Sequence, residues 1–149
     1  MRAVVQRTNC SQVKVNGVTV GEIGIGLMVL LGIKKGDSIQ EAGYLMDKII
    51  NLRIFPDDNG KMNRSLVEVG GEVLLVSQFT LYGDVRKGRR PSFTEAGLPE
   101  DAQPLFDYCV KYICERGLKV ETGEFGADMV LTIENDGPCT ILLDTEKQF

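Results

Sequence analysis

The chain has 149 residues, 43% of them hydrophobic, with 17 glycines, a net charge of −4 and no histidine. That is enough apolar sequence for one globular domain with a real core, and too acidic a balance to coat nucleic acid over a wide surface. The missing histidine excludes Ser-His-Asp and Cys-His centres and removes the usual general base and the commonest metal ligand.

In chain order, residues 2–15 alternate as a strand. Residues 13–20, VKVNGVTV, read as a hairpin about Asn16-Gly17, and 25–33, IGLMVLLGI, as a fully buried strand. The apolar stretch 24–33 is too short to span a bilayer, and MRAVVQRTNC has no signal-peptide run, so a soluble, cytoplasmic protein without membrane partners is expected. A first helix is predicted over Ser38–Arg53. Ser38 and Glu41 fit a capping box, and Ala42, Leu45, Met46, Ile49 and Ile50 form one apolar stripe. The polar segment FPDDNGKMNRS, 55–65, reads as a loop.

Residues 72–84, EVLLVSQFTLYGD, read as a strand that changes character halfway. Val73–Val76 is buried on both faces, and from Ser77 onward period two places Gln78, Thr80 and Tyr82 on one face and Ser77, Phe79 and Leu81 on the other. Gln78 and Thr80 at the end of a buried strand either line a pocket or face solvent. RKGRRPSF, 86–93, follows at once, so Arg86, Lys87, Arg89 and Arg90 form either a solvated loop or a site for a phosphate-bearing ligand.

A second helix is predicted over Asp101–Arg116. Pro104 falls in its first turn, Leu105, Phe106, Cys109, Val110 and Ile113 face inward, and Gly117 lies at C′. Strands then follow at 118–125, 127–135 and 139–146. The fold class is therefore α/β: a β-rich single domain over 1–149, with a mixed-sheet, barrel-like core covered by two main helices. The last two strands pose a puzzle, because Asn135-Asp136-Gly137-Pro138 sets a proline where a return strand would begin, and a plain hairpin wants Asn-Gly or Asp-Gly without it. Cys10, Cys109, Cys114 and Cys139 contain no C-x-x-C pair, and Cys109 and Cys114 do not share a helix face, so all four read as reduced thiols with no zinc site.

SQFTL at 77–81 and NDGPCT at 135–140, which fits N-x-G-P-x-T, together resemble the two motifs of the D-aminoacyl-tRNA deacylases. MRAVVQR at 1–7, VKVNG at 13–17, GRRPSF at 88–93 and GEFGADM at 123–129 resemble the same family in the same order, so the match spans essentially the whole chain. Cys139 departs from the pattern, where a small apolar residue such as Val is more usual.

The resemblance implies hydrolysis of the ester of D-aminoacyl-tRNA and, by the argument below, of glycyl-tRNA. It implies a homodimer whose active site lies at the subunit interface; no cofactor is expected, and with no ligand cluster in the sequence metal dependence stays open. It makes the Gly137-Pro138 bond cis and presents that dipeptide to the other subunit's site as a backbone screen against L-amino acids, with Arg7 bracing it. Thr80, Gln78 and Ser77 fall at the catalytic motif, Phe79, Phe125 and Met129 at the substrate pocket, and Arg86, Lys87, Arg89 and Arg90 at the tRNA-facing loop. Thr80 is either a nucleophile without an evident base, or, on the preferred route, Thr80 or the backbone N–H groups around Phe79 and Thr80 hold the ester carbonyl while the ribose 2′-OH helps activate water. Two rival classes stay open: a non-catalytic RNA-binding module working through 86–93, and a D-amino-acid esterase independent of tRNA.

Overall fold

The computed structural model describes residues 1–148. Strand β1 (Arg2–Val15) turns at Asn16 and Gly17, whose φ values of 49° and 79° suit a type I′ hairpin, into β2 (Val18–Ile23). β3 (Gly26–Gly32) follows and returns to the same edge of β1. β2 pairs antiparallel with residues 11–15 of β1, and β3 with residues 2–8.

Helix α1 (Ile39–Ile50) is capped as the sequence predicts: Ser38 Oγ accepts from the Glu41 N–H, and the Glu41 carboxylate accepts from the Ser38 N–H. The five residues of its predicted stripe, Ala42, Leu45, Met46, Ile49 and Ile50, are all buried. The segment expected to be a loop contains a small hairpin, β4 (Phe55–Pro56) and β5 (Met62–Arg64), followed by the one-turn helix α2 (Leu66–Val69).

β6 (Glu72–Ser77) then runs parallel to β3, and α3 (Pro99–Cys114) crosses back to β7 (Val120–Thr122), which is parallel to β6. Helix α3 starts earlier than the sequence reading gives. Pro99 supplies a preset φ at the first helical position, and Leu98 before it is extended (φ −66°, ψ 150°), so Pro104 sits in the helix interior and not in its first turn. The helix ends at Cys114 with Glu115 as cap, which moves Gly117 beyond C′.

The largest correction concerns the C-terminal strands. Residues 130–144 form one strand, β8 (Val130–Asp144), antiparallel to β1 along almost its whole length. No return occurs at Asn135-Gly137. Between the pairs Gln6–Thr140 and Thr8–Asn135, β1 advances two residues while β8 advances five, so Asp136–Cys139 stand out as a bulge in a continuous strand. Pro138 needs no ladder partner there, which answers the puzzle of its placement. Thr8, buried beneath the bulge, keeps its hydroxyl 3.0 Å from the Glu134 carbonyl and 2.8 Å from the Ser11 hydroxyl.

The sheet follows the order β2-β1-β3-β6-β7, with β8 on the other edge of β1. It curls until β2 nearly meets β7: a Cβ on Gly21 would stand 2.6 Å from the Thr122 carbonyl oxygen. Its two faces bury separate cores. Leu27, Val29, Leu31, Val73 and Leu75 pack under α1 and α3, while Met28, Leu74 and Val76 join Val13 and Ile23 inside the curl. Alternating residues of β3 and β6 thus serve opposite cores, which explains their unbroken apolar runs.

Two predictions follow from this packing. Gly26 sits where β3 meets β6, and a Cβ there would lie 1.9 Å from the Glu72 carbonyl oxygen. Gly26→Ala is expected to remove about 3 kcal/mol of stability or more, read as a lowered urea midpoint. Of the four thiols, Cys10 and Cys114 are exposed, while Cys109 and Cys139 are buried, and burial pushes the Cys109 pKa up to about 12. The hydrogen bond to Glu134 also raises the Cys10 thiol. A native thiol titration with a disulfide reagent at pH 8 should therefore label Cys114 first and Cys10 more slowly, and reach Cys109 and Cys139 only on unfolding.

Candidate functional site

β6 does not continue through the motif at 77–81. It stops at Ser77, Gln78 breaks direction (φ −142°, ψ 80°), and Phe79–Tyr82 wind into one turn of 3₁₀ helix. The period-two facing of Gln78, Thr80 and Tyr82 is therefore overturned. Tyr82 is buried, while Thr80 and Phe79 are exposed. The turn is secured at its start by the Gln78 N–H donating to the Leu31 carbonyl (2.8 Å). Inside it, Leu81 N–H donates to Gln78 O (3.3 Å) and Gly83 N–H to Thr80 O (2.9 Å). The Phe79 and Thr80 N–H groups precede the first donor and have no acceptor within the turn.

That turn forms one wall of a cavity of about 600 Å³, within the usual range for a small-molecule site. Ser77, Gln78, Phe79 and Thr80 line it from this side, and Phe125 and Met129 from the other, so six residues named from the sequence share one chamber. Phe125 rests edge-on against Phe106 of α3 with ring centroids 6.0 Å apart. Gln78 donates its side-chain amide to the Thr80 hydroxyl. With that oxygen accepting, the Thr80 O–H remains able to donate. Burial holds the neighbouring Tyr82 phenol well above its ordinary pKa, so it stays protonated.

Phe93 is a lining residue that the sequence reading quoted within GRRPSF without assigning it a place. It meets the exposed Phe79 edge-on, with centroids 5.1 Å apart. The only sequence signal available was an aromatic directly after a basic run. Phe93 also explains where the charges go. Asp84 and Ser92 exchange backbone hydrogen bonds of 2.8 and 2.9 Å, closing a loop that carries Arg86, Lys87, Arg89 and Arg90 out from the rim of the cavity. All four are exposed, and none lines the chamber itself. Arg86 folds back onto Asp84 through Nε and Nη2 (2.9 and 2.8 Å), and those bonds hold the Asp84 carboxyl well below the usual range.

Gly137, Pro138 and Arg7 are brought together with one another, but not with Thr80 in the same chain. The Gly137-Pro138 peptide is cis, and both residues are exposed. Gly137 has φ +117°, and a Cβ there would lie 3.0 Å from the Cys139 nitrogen and 3.1 Å from Arg7 Nη2, so both conformation and space demand glycine. Arg7 reaches from β1 to donate to the Ile54 carbonyl, and its Nε lies 2.8 Å from Asp136 Oδ2. That N–H is not aimed along the contact, which is therefore an ion pair and not a linear hydrogen bond. Asn135 spans the bulge, accepting from the Cys139 N–H (3.2 Å) and donating to the Thr140 hydroxyl (3.1 Å). Among the described residues no group of three or more His, Cys, Asp or Glu is placed to hold a metal ion, and no helix is long and apolar enough to cross a membrane.

Comparison with known proteins matches the whole of this architecture. The D-Tyr-tRNA(Tyr) deacylase family model covers residues 4–144. A D-aminoacyl-tRNA deacylase of Syntrophomonas wolfei is 69% identical over 149 residues, all of both chains, and one of Thermosipho melanesiensis is 57% identical over 150, again all of both. A solved structure described as a c-Myc DNA unwinding element binding protein superposes with a TM-score of 0.91 at 40% identity, covering 97% of this chain and 98% of that one. A probable eukaryotic D-amino acid tRNA deacylase gives a TM-score of 0.80 at 21% identity, covering 95% and 97%, a likeness of fold. With two motifs, a full-length match and a common architecture in agreement, the chain belongs to the D-Tyr-tRNA(Tyr) deacylase family.

Proposed function

We propose that the chain hydrolyses the ester joining a D-amino acid, or glycine, to the terminal ribose of tRNA, releasing the free amino acid and tRNA and sparing the L-aminoacyl form. The observation that carries this reading, beside the family itself, is the 3₁₀ turn at 79–82, which offers two unclaimed N–H groups and a hydroxyl free to donate at the wall of an otherwise largely apolar chamber.

An aminoacyl ester is already activated, so holding its carbonyl oxygen as negative charge develops lowers the barrier without a strong base. Water adds to the carbonyl carbon, the Phe79 and Thr80 N–H groups and the Thr80 hydroxyl receive the oxyanion, and the ester C–O bond breaks as the ribose oxygen takes the proton. The ribose 2′-OH beside the ester assists the attacking water. Thr80 holds rather than attacks in this scheme. Its one assigned side-chain partner is the Gln78 amide, which cannot act as a base. Phe79, with Phe93 against it, and Gln78 hold the terminal adenosine by packing and hydrogen bonding, Phe125 and Met129 line the chamber, and the 86–90 loop meets backbone phosphates.

Chirality is read by exclusion. With the α-ammonium and the carbonyl fixed, the side chain and the α-hydrogen exchange directions between D and L forms, and a rigid backbone wall blocks the direction an L side chain needs. Gly137 and Pro138 supply that wall, with Arg7 and Asn135 bracing it. Since both residues are exposed and outside the cavity of their own chain, a second copy delivers them, and the working unit is a homodimer of the 16.4 kDa chain acting in the cytoplasm, where tRNA is charged and used. Glycine, with hydrogen in both directions, passes the screen.

The rival reading, a nucleic-acid-binding module, is favoured by the basic loop and is consistent with the 40%-identical structure being that of a c-Myc DNA unwinding element binding protein. Deacylation assays separate the two. D-Tyr-tRNA should be cleaved rapidly and L-Tyr-tRNA about a hundredfold or more slowly, and the double variant Gly137→Ala, Pro138→Ala should lose the discrimination or the activity. tRNA bound without turnover would favour the module, and turnover of a free D-aminoacyl ester at the same rate would favour a tRNA-independent esterase. Glycyl-tRNA left intact would count against a steric screen. Thr80→Ala should lower activity by no more than about a hundredfold to a thousandfold, as for one lost oxyanion donor; near-complete loss in a folded variant would make Thr80 the nucleophile. Sedimentation should give twice the mass of one chain.

A further inference from the structure

We infer that Arg2 is a positioning residue for the deacylation reaction, acting through the one-turn helix that carries Thr80; the inference rests on the catalytic reading above. Arg2 lies outside the cavity and is not among its lining residues. Its backbone is among the most firmly held in the molecule, since Met1 and Ala3 on either side are buried (0% and 1% exposed) and Arg2 itself pairs with Gly32 of β3 and Asp144 of β8. From that fixed point the guanidinium reaches several partners, among them Gln148, whose side-chain oxygen accepts from Nη2 at 3.3 Å. Its Nε lies 3.1 Å from Asp144 Oδ2, a carboxylate whose side chain is fully buried. Its Nη1 donates to the Leu81 carbonyl at 3.1 Å, and its central carbon lies over the Tyr82 ring, 4.7 Å from the centroid.

Leu81 and Tyr82 are the last two residues of the 3₁₀ turn. The Gln78 and Thr80 carbonyls accept from the Leu81 and Gly83 N–H groups, whereas the Leu81 carbonyl, at the C-terminal end of the turn, has no acceptor role inside it, since the Asp84 N–H donates to Ser92. Arg2 supplies the missing donor, so it caps the C-terminal end of the turn whose N-terminal residues, Phe79 and Thr80, line the cavity. A single 3₁₀ turn has little stability of its own. It is held from below by Gly32, where a Cβ would come 3.0 Å from Leu81 Cβ and 3.1 Å from Gln78 O, and from its far end by Arg2. Loosening the far end lets the turn rotate, and the donors at its near end are the ones that must meet a developing oxyanion. Displacing such donors by about 1 Å is enough to cost up to a hundredfold in rate. Lysine cannot replace the fork, because an ammonium is a point charge and cannot address Asp144 and the Leu81 carbonyl together while keeping a planar cation over Tyr82.

The test uses the full-length protein with Arg2→Met, which keeps an apolar stem over Tyr82 and removes the fork, and Arg2→Lys as the milder variant. On D-Tyr-tRNA, Arg2→Met should lower kcat about tenfold or more while KM stays within about threefold, with Arg2→Lys between it and the parent. In hydrogen exchange without substrate, the Leu81 and Gly83 amides should exchange faster in both variants while those of Val29 and Leu75 keep parental rates. Parental kcat in both variants, or acceleration spread evenly over core amides, would overturn the inference. If Arg2→Met does not fold, the kcat and exchange pattern of Arg2→Lys decides alone. If the parent protein itself leaves D-Tyr-tRNA intact, the catalytic reading has failed. Selective exchange at Leu81 and Gly83 would then preserve the mechanical link between Arg2 and the turn, and its absence would remove that too.

Discussion

Strand β1 is hydrogen-bonded along both edges, and each part of the candidate site hangs from one of those pairings. On one edge it fixes β3, whose Leu31 carbonyl receives the Gln78 N–H and so sets the point at which β6 gives way to the 3₁₀ turn. On the other it fixes β8 on both sides of the 136–139 bulge, and Thr8 and Ser11 bury their hydroxyls beneath the mismatch. Its two arginines then act outward from these anchor points, Arg2 toward the turn and Arg7 toward the bulge. A strand paired on both edges has few soft displacements, so its side chains are reliable reference points for the segments that are not part of the ladder.

Backbone N–H groups, a hydroxyl and a carboxamide do not titrate near neutrality. A site built from Gln78, Thr80 and the start of a helical turn therefore depends on distance and direction, not on protonation. On the proposed mechanism a chain with no histidine carries out acyl transfer to water in this way, and much of the local architecture serves to hold short segments still. In the proposed screen the same logic applies at Gly137, where the peptide backbone is the recognition surface. A residue without a Cβ beside a proline without an N–H leaves carbonyl oxygen as the group displayed.

Much of the scaffold was legible in the sequence because its signals are local. The Asn16-Gly17 hairpin, the Ser38 capping box and the stripe Ala42 to Ile50 are each written within a few residues, and each stands where expected. What was not legible depends on distant partners. Nothing in SQFTLY distinguishes alternation on a strand from one turn of 3₁₀ helix, because the choice is made by the Leu31 carbonyl, the flat surface at Gly32 and the donor from Arg2. Likewise Asn135-Asp136-Gly137-Pro138 has a turn's composition, and only the uninterrupted pairing with β1 on either side makes it a bulge and not a reversal. The site residues at 77–80, 125 and 129 were named from motif resemblance and converge on one cavity. Phe93 had no periodic context to mark it.

The basic loop at 86–90 has one more consequence, which lies in the approach of a partner and not in its final contacts. The net charge of −4 includes these four cations, so the rest of the chain sums to −8. The molecule is thus strongly polarised, with its positive pole projecting from the rim of the cavity. A polyanion drifting within a Debye length, about 8 Å at physiological ionic strength, is repelled by most of the surface and drawn to one end. Such a field turns a random collision into an oriented one, so raising the salt should slow encounter well before it disturbs the chamber itself.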